Sequence, residues 1–165
     1  MEIRRLNGED AAIYRDIRLD GLQNYPEAFG SSYEEEITFS LEFFANRLMN
    51  KGNFTFGAFE KKQLVGVVTL ILEQKKKLKH RGNIVAVYVK TENRGMGLAK
   101  KLMQEAIKQA NELKEVEQLY LAVVSDNERA KKLYQSLGFK TYGVDKKALK
   151  VNGVYYDEEL MIQFI

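Results

Sequence analysis

Between Ile84 and Tyr134 the apolar positions change their period twice. They fill Ile84 to Val89 almost without a break, then recur at helical spacing at Leu98, Leu102, Ile107 and Ala110, then fill Leu119 to Val124. Two apolar runs rich in β-branched residues, joined by a helix of about 17 residues, predict parallel neighbours, because parallel strands need a long crossover. A short helix over Asn127 to Leu137 follows, and Gly138 stands where a left-handed C-terminal cap belongs.

The flanking pattern is plainer. Residues 2–6 alternate as a strand. A helix over roughly 9–24 presents Ala12, Ile13, Ile17, Leu19 and Leu22, with Asn7 and Asp10 as caps and Pro26, the only proline, as its stop. Glu27 to Glu36 reads as a loop, small residues first and acids after. Ser40 caps a second helix over Leu41 to Met49, with Glu42 in its first turn where the dipole favours a negative charge. Phe54 to Phe59 and Leu64 to Leu72 form a hairpin, and a lysine-rich turn over 74–81 leads into the strand at 83–89. Phe139 to Leu149 and Val154 to Ile165 form a last hairpin around Asn152-Gly153, a strong turn signal. With no linker, repeat or low-complexity tract, the expectation is one α/β domain over residues 1–165 with a mixed, mostly antiparallel sheet.

Composition narrows the chemistry. The chain has 165 residues, 45% hydrophobic and 30% charged, as expected of a soluble globular protein, and no apolar run long enough for a membrane span. The first residues lack a signal peptide's apolar core, so a cytoplasmic protein is expected. The absence of cysteine removes disulfides, thiolate metal ligands and an acyl-cysteine intermediate. A single histidine, His80, leaves little for a nucleophile–histidine pair or a zinc site, and no metal is expected. The net charge of +3 is mild. Its lysines gather at 75–79, 100–101, 131–132 and 146–147, either as solvated faces or as a positive field around a polyanion. Nucleic acid is not expected as a partner, since that needs a continuous basic face with stacking aromatics.

The turn after the first apolar run, Arg94-Gly95-Met96-Gly97-Leu98-Ala99, is where an anion would sit. Its glycines let the backbone approach a ligand, and the free N–H groups of the first helical turn point at it. A dinucleotide fingerprint fails, because the third glycine of G-x-G-x-x-G would fall on Lys100.

Glu92-Asn93-Arg94-Gly95-Met96-Gly97, followed at the right distance by Asn127-Glu128-Arg129-Ala130-Lys131-Lys132-Leu133-Tyr134-Gln135-Ser136-Leu137-Gly138-Phe139, resembles the two motifs of the Gcn5-related N-acetyltransferase (GNAT) superfamily. The likeness covers roughly residues 50–140. Glu92 stands where the family has Gln or Arg, which bears on a side-chain role there but not on the backbone cradle. The resemblance implies the order βααβββαβαββ, with the central parallel pair splayed around the cofactor. It implies acetyl-CoA as co-substrate, its diphosphate on the cradle at 94–99 and its pantetheine arm against the backbone of Val87, Tyr88 and Val89 and against Asn127. It also implies direct attack of a small-molecule or peptide amine on the thioester, with Tyr134 stabilising the departing thiolate. By the same resemblance the last hairpin is a candidate homodimer surface, as in many relatives.

Each of these residues has a plainer reading: Tyr134 as a core tyrosine, Asn127 as an N-cap, the strand at 87–89 as buried sheet. A non-catalytic module that keeps coenzyme A as a structural or sensory ligand is the alternative function. Many family members carry a base glutamate on the strand corresponding to 83–89, and this chain has none. The candidates are His80, Glu73, and Glu34 or Glu35, with Glu35 and His80 foremost and a water relay also open.

Overall fold

The computed structural model describes residues 1–165. Its strands are β1 (Glu2–Arg5), β2 (Asn53–Glu60), β3 (Gln63–Leu72), β4 (Arg81–Val89), β5 (Gln118–Val124), β6 (Lys140–Val151) and β7 (Val154–Phe164). The helices are α1 (Ala11–Asn24), α2 (Tyr33–Glu36), α3 (Leu41–Met49), α4 (Leu98–Glu112) and α5 (Glu128–Ser136). The strands form one sheet in the order β1-β2-β3-β4-β5-β7-β6, antiparallel throughout except for β4 and β5. The mixed sheet, its central parallel pair and the crossover helix match the expectation.

Local sequence explains most boundaries. Asn7 and Asp10 form a capping box around a 3₁₀ turn that feeds α1, and Ser40 caps α3 by accepting from the Phe43 N–H. Helix α4 starts at Leu98 and no earlier, because Gly95 (φ 84°) and Gly97 (φ 75°) hold left-handed conformations that an α-helix cannot include. The segment read as a loop over 27–36 is more structured than that. Pro26–Ala28 is a 3₁₀ turn, and Ser32 and Glu35 form a capping box that nucleates α2. Ser-x-x-Glu was the sequence signal for it.

The sheet is covered on both faces. Leu98, Leu102, Met103, Ala106 and Ala110 of α4 pack with Val68, Leu70, Ile84, Leu119, Leu121 and Val123 on one face, where Tyr134 of α5 also sits. Tyr14, Ile17 and Leu22 of α1 and Phe44 and Leu48 of α3 pack with Val67 and Tyr88 on the other. Each of the Val, Leu, Ile, Phe and Met side chains among these contributes about 1.5–3 kcal/mol when fully buried.

One irregularity positions everything that follows. Ala86 has φ 54°, and the β3–β4 register jumps between Val67↔Tyr88 and Thr69↔Val85, so β4 carries a bulge that bends it. Its pairing with β5 stops early, covering only Arg81–Asn83 against Gln118–Tyr120. Beyond that the two strands part, and Val85, at the centre of the sheet, is 39% exposed.

Candidate active site

The parting of β4 and β5 opens a cleft of about 630 Å³, within the range of small-molecule sites, about 300–1,000 Å³. Its floor and walls come from Ile84–Val89 of β4 and Leu121–Val124 of β5. From Ile84 onward the side of β4 that faced β5 has lost its ladder partner, so a ligand's amide groups could take the place of the missing strand.

At one end of the cleft lies the glycine turn. A methyl group built on Gly95 or Gly97 would meet nothing within 4 Å, so both positions face open space and their left-handed φ, not internal packing, calls for glycine. The first N–H groups of α4 have no partner within the helix; the first bond that ties the turn back is Lys101 N–H to the Gly97 carbonyl, at 3.1 Å. Asn93, which sequence reasoning passed over, is buried and donates to Glu60 at 2.7 Å, fastening the turn to the β2–β3 hairpin. The Arg94 Nε donates to the Val89 carbonyl at 3.0 Å, and its guanidinium lies 4.1 Å from the Tyr25 ring centroid. Lys100 adds a second positive charge at the rim. Free N–H donors, a helix N-terminus and two cations suit an anion.

On the same side of the sheet, Tyr134 lines the cleft from α5. It is 7% exposed, burial pushes its phenol up to about 12, and its hydroxyl has no hydrogen-bond partner inside the protein. It is therefore protonated at neutral pH and free to donate into the cleft. Asn127, which lines the cleft, caps α5 through its Oδ1, accepting from the Ala130 N–H at 3.1 Å, and its Nδ2 has no hydrogen-bond partner inside the protein.

The opposite face supplies a different set. Tyr25, Glu27 and Ala28 come over the cleft from the segment after α1. The Tyr88 hydroxyl donates to Asp20 at 2.6 Å; burial first, and then that bond, hold its phenol well above the ordinary range. Glu158 and Tyr156 of β7 complete this side.

Val87, Tyr88, Val89, Arg94, Gly95, Gly97, Leu98, Ala99, Asn127 and Tyr134 are thus brought to one cleft. Met96 is not among its lining; its side chain is 47% exposed on the outside of the turn. The two foremost base candidates also lie elsewhere. Glu35 does not line the cleft, and its carboxylate accepts from the Ser32 N–H at 2.9 Å and the Ser32 hydroxyl at 2.8 Å, bonds that lower its pKa and make it a poor base. His80 precedes the first residue of β4, eight positions and roughly 26 Å of extended strand from Tyr88. Glu73 accepts from Asn83 at 3.0 Å near that same far end, and Glu34 is exposed outside the cleft. Nowhere do three or more His, Cys, Asp or Glu side chains gather to hold a metal ion, and no helix is long and apolar enough to cross a membrane.

A family model described as an acetyltransferase (GNAT) domain matches residues 3–160. The chain belongs to the GNAT acetyltransferase family. Solved structures agree with that placement. A GNAT-family acetyltransferase from Streptococcus pneumoniae superposes on this GNAT chain with a TM-score of 0.86 at 24% identity, over 99% of this chain and 98% of its own. A ribosomal-protein-alanine N-acetyltransferase from Brucella melitensis does so with 0.87 at 24% identity, over 100% of both. A Salmonella typhimurium protein solved with its cofactor acetyl-CoA gives 0.81 at 19% identity, over 99% of this chain and 93% of its own. At these identities the likeness establishes the GNAT fold alone. No curated relative matches the chain.

Proposed function

We propose that this protein transfers the acetyl group of acetyl-CoA to an amine by direct attack, without a covalent enzyme intermediate. The observation that carries the reading is the continuity of one cleft. It runs from a glycine turn with free N–H donors, along a strand edge without a partner, to a protonated tyrosine whose hydroxyl is free. A diphosphate, a chain of amides and a thiol leaving group need those three things in that order.

The N–H groups of residues 95–100 would hold the diphosphate, aided by Lys100 and by the Arg94 edge not used on Val89. The open edge of β4 at Val87–Val89 would pair with the pantetheine amides, and one of its N–H groups would polarise the thioester carbonyl. Tyr134 would donate its hydroxyl proton toward the sulfur as the carbon–sulfur bond breaks. A thiol has an ordinary pKa of about 8.5 and a phenol about 10, so Tyr134 acts first as a hydrogen-bond donor to developing charge and delivers its proton late. The amine would enter from the opposite face of the sheet, between the segment carrying Tyr25 and Glu27 and strand β7.

The test is release of free thiol from acetyl-CoA in the presence of amino acids, polyamines, peptide N-termini and lysine peptides. Turnover with at least one amine is expected. Binding of acetyl-CoA with no turnover across the panel would favour the non-catalytic coenzyme A module instead. Tyr134→Phe should lower kcat by about 10–100-fold, within reach of a lost donor to a charged leaving group, and leave the Kd for acetyl-CoA within about threefold. An unchanged kcat would leave Tyr134 as packing.

A further inference from the structure

We infer that Glu158 is the group that takes the proton from the acceptor amine before it attacks. This rests on the acetyl-transfer reading above and names the base which that reading requires.

The argument begins with strand alternation. Leu119, Leu121 and Val123 of β5 pack with α4, and β7 pairs Met161 with Leu121 and Glu159 with Val123, so Met161 and Glu159 share that face. Glu159 confirms it by bonding to Lys131 of α5 at 2.8 Å. Glu158, paired with Val124, therefore points to the other face. That is the face of α1, Tyr88 and the turn Pro26–Ala28, and this turn crosses close to β5 and β6. Tyr134 and the glycine turn lie on the α4 side. The gap between β4 and β5 joins the two, so a thioester lying in the gap is open to Tyr134 from one side and to Glu158 from the other.

The surroundings of Glu158 suit a base. It lines the cleft, is partly buried, and has no hydrogen bond or ion pair within the protein. Asp145 of β6 stands directly opposite it in the register, an arrangement of like charges that costs stability and that no fold requirement explains. The other titratable groups that line the cleft on this side are Tyr156 on its own strand, Tyr25 and Glu27 on the turn, Tyr88 bonded to Asp20 on β4, and Asp126 at the end of β5. Of the cations lining the cleft, Arg94 is stacked on Tyr25, while Lys100 and Arg129 come from α4 and α5. Burial first, and then the charge of Asp145, raise the Glu158 carboxyl above its ordinary value, toward that of a working base. The acids here also attract the amine in its ammonium form.

The step balances. The ammonium gives one proton to a Glu158 carboxylate oxygen. The nitrogen lone pair forms the C–N bond as the C–S electron pair leaves with sulfur. Sulfur takes a proton from Tyr134, which regains one from the nitrogen through solvent, and Glu158 returns its own to water.

The experiment measures kcat/KM against pH, from 5 to 9, for the wild type, Glu158→Gln, Glu158→Asp and Asp145→Asn, with the amine found by the thiol-release panel, and the acetyl-CoA Kd of each. Glu158→Gln should lose about 10²-fold in kcat and lose the acid limb of the profile, with the Kd for acetyl-CoA within about threefold. Glu158→Asp should recover part of the rate. Asp145→Asn should move the acid limb to lower pH, because it removes the charge that raises Glu158. An active wild type whose acid limb survives in Glu158→Gln overturns the assignment of Glu158 alone. A wild type that binds acetyl-CoA but acetylates no amine overturns the transfer reading and this assignment together.

Discussion

Glu36→Ala is expected to cost about 3–5 kcal/mol of stability, the usual penalty for removing one partner of a buried ion pair. Glu36 is fully buried at the end of α2 and accepts from Arg18 of α1 through two bonds and from Arg47 of α3 at 3.3 Å. Arg18 is itself only 7% exposed and stacks over Phe29, so the substitution leaves a buried guanidinium without its counter-charge. For a chain of this length each kcal/mol shifts Tm by about 2–4 °C, so a fall of roughly 10 °C is expected in a thermal melt.

The pH dependence has a definite sign. Burial pushes the Glu36 carboxyl up, but the bonds and charges of Arg18 and Arg47 outweigh it and leave the group below its ordinary value of 4.5. A depressed carboxyl stabilises the fold above its unfolded pKa, and that contribution fades as pH falls toward the folded value. The gap between wild type and Glu36→Gln should therefore narrow on acidification below about pH 4.5. Chemical denaturation at pH 7 giving less than about 1 kcal/mol between wild type and Glu36→Ala would show that the triad is not what holds α2.

The same residue shows where sequence reasoning stops. Glu34-Glu35-Glu36 is three acids in a row, and a charge run ordinarily lies in solvent. Only Glu36 is buried, and its partners stand 18 and 11 residues away on two other helices, with no periodicity to link them. By contrast, the glycine turn, the crossover helix and the helix with Asn127 and Tyr134 were legible because each is a local pattern of period and punctuation.

Glu158 was missed for the same reason as Glu36. Its meaning depends on β7 inserting between β5 and β6, which the sequence order hides. A signal did exist: with Glu158 and Glu159 adjacent on a strand, one acid must face each side of the sheet. Glu35 and His80 were drawn toward the site by proximity in sequence to the acidic loop and to the β4 entry. A Ser-x-x-Glu box uses up the first, and strand direction carries the second to the wrong end.

The largest effect on ligand binding is expected from Gly97→Val. The Gly97 position has φ 75° and a Cβ there would meet no protein atom within 4 Å, so the valine side chain is expected to project where the diphosphate is proposed to lie. Losing two hydrogen bonds to a charged group, at about 1.5–3 kcal/mol each, predicts a weakening of roughly 10²–10⁴-fold in acetyl-CoA affinity by calorimetry. The left-handed backbone separately costs about 1–3 kcal/mol for a residue with a side chain. Gly97→Ala carries much of that strain with far less bulk, so it should lose stability without losing most of the affinity. A donor cut back to S-acetylpantetheine has no diphosphate to collide with the valine and should bind wild type and Gly97→Val alike. Equal acetyl-CoA affinity in the two proteins would mean that the free N–H groups of this turn hold no phosphate, and the cleft would then need a different occupant.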